Sequence, residues 1–181
     1  FMKLMEGVAP MREFRGLPDE DIHFAAERIV CAGFFDVHCD GGYGFDAMDG
    51  DADQINEMVT KMTKTEGITT YFCTTMTQSN ENIDHAMKGV AKAAAVNPVI
   101  KGVHLEGPFI SATFKGAQPE QYIKDPDVHL LEQWNKSANG LVKLITMAPE
   151  DKGADEFESY CLAHGIVPSV GHSNAKRADL L

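Results

Sequence analysis

The sequence predicts an α/β protein that forms part of a (β/α)8 barrel of TIM type, with about five of the eight parallel strands present. Short apolar runs rich in β-branched and aromatic residues alternate with longer amphipathic segments from residue 33 onward. This alternation, with a period of roughly 30–40 residues, is typical of βαβ units in a parallel sheet. Polar residues also accumulate directly after the apolar runs, at the ends where parallel barrels build their active sites.

The predicted strands are the apolar runs themselves, because β-branched and aromatic residues suit an extended backbone. They cover residues 33–38, 68–75, 99–105, 141–146 and 166–170. The predicted helices cover 51–66, 80–96, 127–137 and 152–164. The first helix repeats its apolar residues at i, i+3, i+4 and i+7, and Gly67 follows it as a C-terminal cap. Ser173 or Asn174 would cap a fifth helix.

The pattern divides the chain into an N-terminal segment, 1–30, which has no clear role, and an incomplete barrel over 31–181. A closed barrel typically needs about 250 residues, whereas this sequence has 181. Five parallel strands would also leave two open sheet edges, which proteins normally cover. We therefore expect the remaining strands to lie in a C-terminal portion outside this sequence.

The composition disfavours several classes of protein. A net charge of −11, with no cluster of Lys and Arg, disfavours binding to nucleic acid or to an anionic membrane. No stretch approaches the roughly 20 apolar residues that cross a bilayer, and the N-terminus lacks a signal-peptide pattern. The 4 cysteines are too scattered for a disulfide framework. We expect a soluble, cytoplasmic protein.

Candidate metal ligands follow the first predicted strand. His38 and Asp40 are two residues apart, so an extended backbone points both side chains the same way, with Cys39 on the opposite side. Imidazole and carboxylate groups are good ligands for Zn²⁺ or Fe²⁺. The glycine-rich run at 41–44 would let the backbone approach a ligand closely. The alternative interpretation is a polar strand end with a flexible turn.

Glu106 is the strongest candidate metal ligand in the sequence. It follows the third apolar run, where an unpaired buried carboxylate would be costly unless a metal ion, or a Lys or Arg, compensates it. His104 shares its face of the strand, as a ligand or as a support for one. His172 follows the fifth run at an equivalent position. Because the C-terminal ends of parallel strands share one face of a barrel, we expect Glu106 and His172 to lie together.

Five motifs, in this order, resemble the N-acetylglucosamine-6-phosphate deacetylase family of the amidohydrolase superfamily. They are Asp36-Val37-His38, His104-Leu105-Glu106-Gly107-Pro108-Phe109, Lys115-Gly116-Ala117, Met147-Ala148-Pro149-Glu150 and Val170-Gly171-His172-Ser173-Asn174-Ala175. The resemblance covers about residues 30–181. It implies hydrolysis of the acetamide of N-acetyl-D-glucosamine 6-phosphate to glucosamine 6-phosphate and acetate by an enzyme that is dependent on a divalent metal.

The resemblance also implies specific ligands. Glu106 and His172 would bind one divalent ion per site, Zn²⁺ or Fe²⁺, and His38 and Asp40 are further candidate ligands. On this basis the segment 31–181 would be an incomplete metal-dependent hydrolase barrel.

Substrate contacts and assembly are implied in the same way. Ala117 matches the position whose backbone contacts the sugar, and His104 is a further candidate for substrate contact. The family's catalytic Asp, another metal-binding His and most phosphate-binding residues would lie beyond Leu181. The chain alone is therefore expected to be inactive, and the intact protein to be a homodimer.

The sequence departs from the family pattern at two positions. Members with two metal ions carry His-x-His after the first strand, whereas this chain has Asp40 in place of the second His. A single metal ion, or ligation by Asp40, would accommodate that change. Gln118 stands where the family usually has His, which would weaken a contact with the substrate.

Two other interpretations stay open at this point. A different amidohydrolase, dihydroorotase-like or isoaspartyl peptidase-like, would carry His-x-His and a metal-bridging lysine on the fourth strand, where this chain has only Lys143 in mid-strand. A non-catalytic barrel fragment would keep the fold without the metal.

Overall fold

The computed structural model describes residues 32–180. The chain divides into two units after Gly33. The strands and helices given below belong to the second unit, which starts at Phe34. The segment predicted over 1–30 lies outside the described residues, so the division into 1–30 and 31–181 stays a prediction.

Strands and helices alternate along the described residues. The strands are β1 (Phe34–Cys39), β2 (Gly41–Gly42), β3 (Phe45–Asp46), β4 (Ile68–Thr75), β5 (Ile100–Glu106), β6 (Val142–Met147) and β7 (Val167–Val170). The α-helices are α1 (Ala52–Glu66), α2 (Asn80–Val96), α3 (Val128–Ser137) and α4 (Ala154–Ala163). The five long strands and the four helices lie within two residues of their predicted bounds.

The five long strands form one parallel sheet in the order β1-β4-β5-β6-β7. One helix lies in each connection between neighbouring strands, because a parallel pair needs a long crossover. Strand order follows chain order without reversal, as in a (β/α)8 barrel. These features confirm the predicted fold class, a partial barrel with five parallel strands.

The strand register aligns the C-terminal ends of the strands along one edge of the sheet. Glu106 ends β5 and pairs with Thr146 of β6, while Leu105 pairs with Thr75 of β4. Cys39, the last residue of β1, pairs with Cys73 of β4. Polar residues at or just after these ends therefore converge on one region.

Helix α1 shows how local sequence sets the ends of an element. The Asp51 carboxylate accepts hydrogen bonds from the backbone N–H groups of Asp53 and Gln54, and Gly67 closes the helix with a φ of 75°. The buried face is the predicted apolar stripe of Ile55, Met58, Val59 and Met62. Burial of one such side chain stabilises the folded state by about 1.5–3 kcal/mol.

The hydrophobic core combines side chains of the sheet and of the helices. Fully buried members include Tyr71, Val103, Leu105, Ile145, Ile55, Met58, Met87, Leu131, Trp134 and Phe157. Among residues 32–180, no helix has the length and the apolar character that would let it span a membrane.

A short antiparallel hairpin, β2 with β3, was not predicted from the sequence. Tyr43 and Gly44 form its turn with φ values of 57° and 86°, as in a two-residue type I′ turn. A Cβ on Gly41 would lie only 2.4 Å from the carbonyl oxygen of Phe45. The glycine-rich run at 41–44 therefore serves the close approach of two strands, whereas the sequence suggested an approach to a ligand.

The described cysteines are free thiols, namely Cys39, Cys73 and Cys161. Burial raises the pKa of Cys73 to about 12, and burial together with Glu158 raises the pKa of Cys161 to about 12. Both side chains therefore stay protonated and pack as small apolar groups.

Asp84 joins α2 to α3 through its carboxylate. The Ser137 hydroxyl donates to Asp84 Oδ1 at 2.5 Å, and Lys88 Nζ lies 2.6 Å from Oδ2. Burial acts to raise the pKa of Asp84, but the hydrogen bonds from Lys88 and Ser137 outweigh it and hold the pKa below its usual value. The ionised carboxylate is thus more favourable in the folded state than in the unfolded chain.

We expect Asp84→Asn to lower the free energy of unfolding by about 1 kcal/mol at neutral pH. Because the folded-state pKa is depressed, this contribution is fully present above about pH 4 and disappears as the pH falls further. Urea unfolding at pH 7 and pH 3 measures the difference. The control is Glu57→Gln, which removes a carboxylate from the exposed pair with Lys61 and should change little. An Asp84→Asn loss that is equal at both pH values would contradict the assignment.

Candidate metal centre

Glu106 lies at the centre of the candidate site because it ends the middle strand of the sheet. Its side chain is only 9% exposed. The four residues that precede it in β5 are buried, and the carboxylate lies at the C-terminal end of the strand. Such a group needs compensating hydrogen-bond donors or a cation, since a buried unpaired charge is costly.

His172 reaches Glu106 from the loop after β7. It has a left-handed backbone conformation with a φ of 50°, and its carbonyl oxygen accepts a hydrogen bond from Ser111 N at 2.9 Å. Its Nδ1 atom lies 2.9 Å from the carbonyl oxygen of Phe114, and its Nε2 atom lies 3.0 Å from Glu106 Oε1. The loop after β5 therefore fixes both the backbone and the ring of His172.

The contact between His172 and Glu106 requires a positive charge. A carbonyl oxygen can only accept, so the Nδ1 atom facing Phe114 must carry the hydrogen. In the neutral ring the Nε2 atom then carries no hydrogen, and its lone pair faces a carboxylate oxygen of Glu106 at 3.0 Å. Two lone pairs at this distance repel each other. Either an additional proton on the ring or a metal ion between the two atoms removes the repulsion.

His38 and Asp40 approach Glu106 from the end of β1. His38 Nε2 lies 3.5 Å from Glu106 Oε2, and one potential ligand atom from each of His38, Asp40 and Glu106 lies within 4.8 Å of the others. Burial and the nearby Glu106 carboxylate raise the pKa of Asp40 above its usual value. A cation among these groups would relieve the crowding of the two carboxylates.

His104 lies beneath this cluster and is only 1% exposed. Its ring meets that of His38 edge to face with centroids 4.6 Å apart, and its Nε2 atom lies 2.7 Å from Thr146 Oγ1. Burial, followed by the neighbouring His38, lowers the pKa of His104 to about 4, so the ring is neutral near pH 7. This position suits support of His38, and the substrate contact of His104 stays a prediction.

Ala117 lies exposed in the loop after β5. Its neighbour Gly116 has a φ of 57°, and a Cβ there would lie 3.5 Å from His172 Cε1. The segment therefore runs next to the ring of His172. A backbone contact between Ala117 and a sugar stays a prediction.

Gln118 is buried, although the sequence suggested a position open to the substrate. Its Oε1 atom accepts a hydrogen bond from Thr77 N at 2.7 Å, and its Nε2 atom donates to Glu106 Oε2 at 3.2 Å. A polar residue in an irregular loop carries no periodic signal of burial, so sequence patterns alone could not place it. The family motif marked only its neighbourhood.

Glu150 holds the segment that follows His172. Its carboxylate accepts hydrogen bonds from Ser173 Oγ at 2.6 Å and from Asn174 N at 2.5 Å. Burial opposes ionisation, but these hydrogen bonds hold the pKa of Glu150 below its usual value. Ser173 also accepts from Ala175 N, and a 3-10 turn at Arg177–Leu180 lies where the sequence predicts the start of a fifth helix.

The donor set of the site fits a divalent transition metal. His38 and His172 each direct an Nε2 atom at the Glu106 carboxylate, and Asp40 adds another oxygen. Mixed nitrogen and oxygen ligands of this kind suit Zn²⁺ or Fe²⁺. Cys39 does not take part, since its thiol donates to the carbonyl oxygen of Gly41.

No family model matches the chain, but comparison with individual proteins finds similar sequences and structures. The chain is 34% identical over 167 residues to the N-acetylglucosamine-6-phosphate deacetylase of Bacillus subtilis, a match that covers 89% of this chain and 42% of that enzyme. The chain thus spans about two fifths of the length of the curated relatives it matches.

Solved structures give the same result for the fold. The N-acetyl-D-glucosamine-6-phosphate deacetylase of Mycobacterium smegmatis superposes with a TM-score of 0.77 at 29% identity, over 82% of this chain and 39% of that one. A mutant of that enzyme in complex with N-acetyl-D-glucosamine 6-phosphate gives a TM-score of 0.76 at 28% identity, over 82% and 38% of the two chains. The predicted resemblance is therefore confirmed in both sequence and fold.

The turn after Glu106 leaves no room for a side chain at Gly107. Gly107 has a φ of 68°, and a Cβ there would lie 2.1 Å from Thr77 Oγ1. We expect Gly107→Ala to lower the free energy of unfolding by at least about 2 kcal/mol, because backbone strain and a clash coincide. Chemical denaturation measures the change.

The control is Gly140→Ala, because Gly140 has a φ of 77° and open space around it. It should show the backbone strain alone, about 1 kcal/mol. Equal losses in the two variants would show that the contact with Thr77 does not constrain the turn.

Proposed function

Starting from the resemblance to N-acetylglucosamine-6-phosphate deacetylases, we propose that the protein carrying this chain hydrolyses the acetamide of N-acetyl-D-glucosamine 6-phosphate to glucosamine 6-phosphate and acetate. The reaction depends on a divalent metal, Zn²⁺ or Fe²⁺, with Glu106 and His172 as ligands. The observation that carries the proposal is the approach of His172 Nε2 to Glu106 Oε1 at 3.0 Å, while Nδ1 of the same ring faces the carbonyl oxygen of Phe114.

An amide is a poor electrophile, and the proposed ligands address this difficulty. A divalent metal ion at such a site polarises a carbonyl oxygen and lowers the pKa of water to about 7. Glu106 would supply a buried carboxylate, and His172 would supply its Nε2 atom, because the carbonyl oxygen of Phe114 engages Nδ1 and orients the ring. His38 and Asp40 extend the set of ligands toward β1.

The hydrolysis needs one proton transfer that these residues do not supply. Water adds its oxygen to the amide carbon and loses a proton to a base, the C–N bond breaks, and the base passes that proton to the departing amine. The resemblance assigns this transfer to an Asp on a later strand than those described. The chain therefore contributes the ligands and the wall of the site, and the expectation that it is inactive alone stays a prediction.

The substrate is an anion and the chain carries a net charge of −11. The general field of the protein therefore opposes binding, and specific donors must hold the phosphate. The homodimer implied by the resemblance, in which a neighbouring subunit helps to hold the phosphate, stays a prediction.

The position of Lys143 disfavours the alternative amidohydrolases. A metal-bridging lysine would have to lie at the C-terminal end of its strand, close to Glu106. Lys143 instead lies near the start of β6, and its Nζ donates to the carbonyl oxygen of Gly140 at 2.8 Å. This contact supports the deacetylase over a dihydroorotase-like enzyme.

We expect purified protein to contain a divalent metal and Glu106→Gln to lose most of it, because the substitution removes the charged ligand and keeps its shape. Elemental analysis after gel filtration measures the content. The control is Glu120→Gln, the same chemical change on an exposed residue of the loop after β5, which should keep the metal.

The activity is tested separately by release of acetate from N-acetyl-D-glucosamine 6-phosphate. In the intact protein, a chelator should abolish release and Zn²⁺ or Fe²⁺ should restore it. Equal metal content in the wild type and Glu106→Gln would refute the ligand assignment. A metal-loaded intact protein that releases no acetate would instead refute the proposed substrate, or favour the interpretation as a non-catalytic barrel.

A further inference from the structure

We propose that Gln118 is a positioning residue, which fixes the Glu106 carboxylate for metal binding and does not contact the substrate. This inference rests on the proposed metal-dependent function. Gln118 and Glu106 are only 6% and 7% exposed, so their contact is shielded from solvent. A hydrogen bond to a charged group in such surroundings is stronger than one in water.

The orientation of the Gln118 amide follows from its partner on the loop after β4. Thr77 N can only donate a hydrogen bond, so the amide atom that faces it at 2.7 Å must be the oxygen. The amide nitrogen is therefore on the other side, 3.2 Å from Glu106 Oε2, where it donates. One amide thus accepts from the backbone of one loop and donates to the carboxylate.

The anchor of this amide is itself rigid. Thr77 is fully buried, two residues after the end of β4, and β4 neighbours β5 in the sheet. The position of Gln118 is therefore tied to the sheet as well as to its own irregular loop. A side chain held at both ends of its amide in this way has little rotational freedom.

The two oxygens of Glu106 consequently have different partners. Oε1 faces His172, whereas Oε2 receives the Gln118 donor and lies 3.5 Å from His38 Nε2. Tilting the carboxylate plane would break the Gln118 hydrogen bond, so the amide fixes the plane in which the two equivalent oxygens meet the histidines. Hydrogen bonds to metal-ligating carboxylates commonly tune affinity by about 10–100-fold.

The rival role for position 118 is a contact with the substrate. That role requires a side chain that is open to the pocket with an unused donor or acceptor. Gln118 is buried, its oxygen is engaged by Thr77, and one hydrogen of its nitrogen is engaged by Glu106. The two roles predict different results for the metal in the absence of any substrate.

The test compares Gln118→Met with the wild type by zinc competition titration and by the absorption spectrum of the Co²⁺-substituted protein. Methionine keeps the length of the side chain and loses both hydrogen bonds. We expect about 10-fold weaker zinc binding and an altered Co²⁺ spectrum. The control Gln121→Met changes an exposed glutamine three residues away and should match the wild type in both measurements.

A second variant guards against misfolding of the first. Gln118→Glu keeps the shape and the acceptor for Thr77 N, but it replaces the donor to Glu106 with an acceptor. We expect it to alter the Co²⁺ spectrum while circular dichroism stays that of the wild type.

The outcomes separate this inference from the proposed function. Wild-type affinity in Gln118→Met, or wild-type Co²⁺ spectra in both variants, would overturn the positioning role and leave the deacetylase proposal intact. A wild-type intact protein that binds neither Zn²⁺ nor Fe²⁺ would overturn both.

Discussion

Glu106 holds a carboxylate out of solvent at the end of the middle strand, with its Oε1 atom 3.0 Å from Nε2 of His172. A buried negative charge that faces a nitrogen lone pair is unfavourable unless the ring gains a proton or a metal ion binds both atoms. A metal ion at this point would account for the surrounding arrangement. His38 and Asp40 lie where further ligands would be needed, and His104 is neutral where another charge would compete.

The proposed ligands Glu106 and His172 come from strands that do not neighbour each other, so the sheet alone cannot align them. Glu106 ends β5 and His172 follows β7, with β6 between them. The loop after β5 closes this gap, because Ser111 and Phe114 bind the backbone and the ring of His172. Glu150, from the loop after β6, holds the next two residues of the chain. The irregular loops therefore fix the positions of these side chains, whereas the strands only bring them to the same edge of the sheet.

The strands, the helices and the convergence of Glu106 with His172 could be predicted from the sequence, because they follow from periodicity and from the geometry of parallel sheets. The φ of His172 and the burial of Gln118 could not. Both are set by contacts between distant loops, such as Thr77 with Gln118, that no local pattern encodes. The β2–β3 hairpin was missed because its strands have two residues each, too few to show alternation. The residue roles in catalysis remain predictions, while the fold and the family resemblance are confirmed.

The close approach of Thr77 to Gly107 has a consequence for substitutions at position 107. Thr77 occupies the space that a side chain at 107 would fill, and its N–H is the anchor of Gln118. A side chain at position 107 would displace Thr77, and with it the backbone N–H that anchors Gln118. A change at Gly107 would therefore reach the metal centre through a loop that lies 30 residues earlier in the chain.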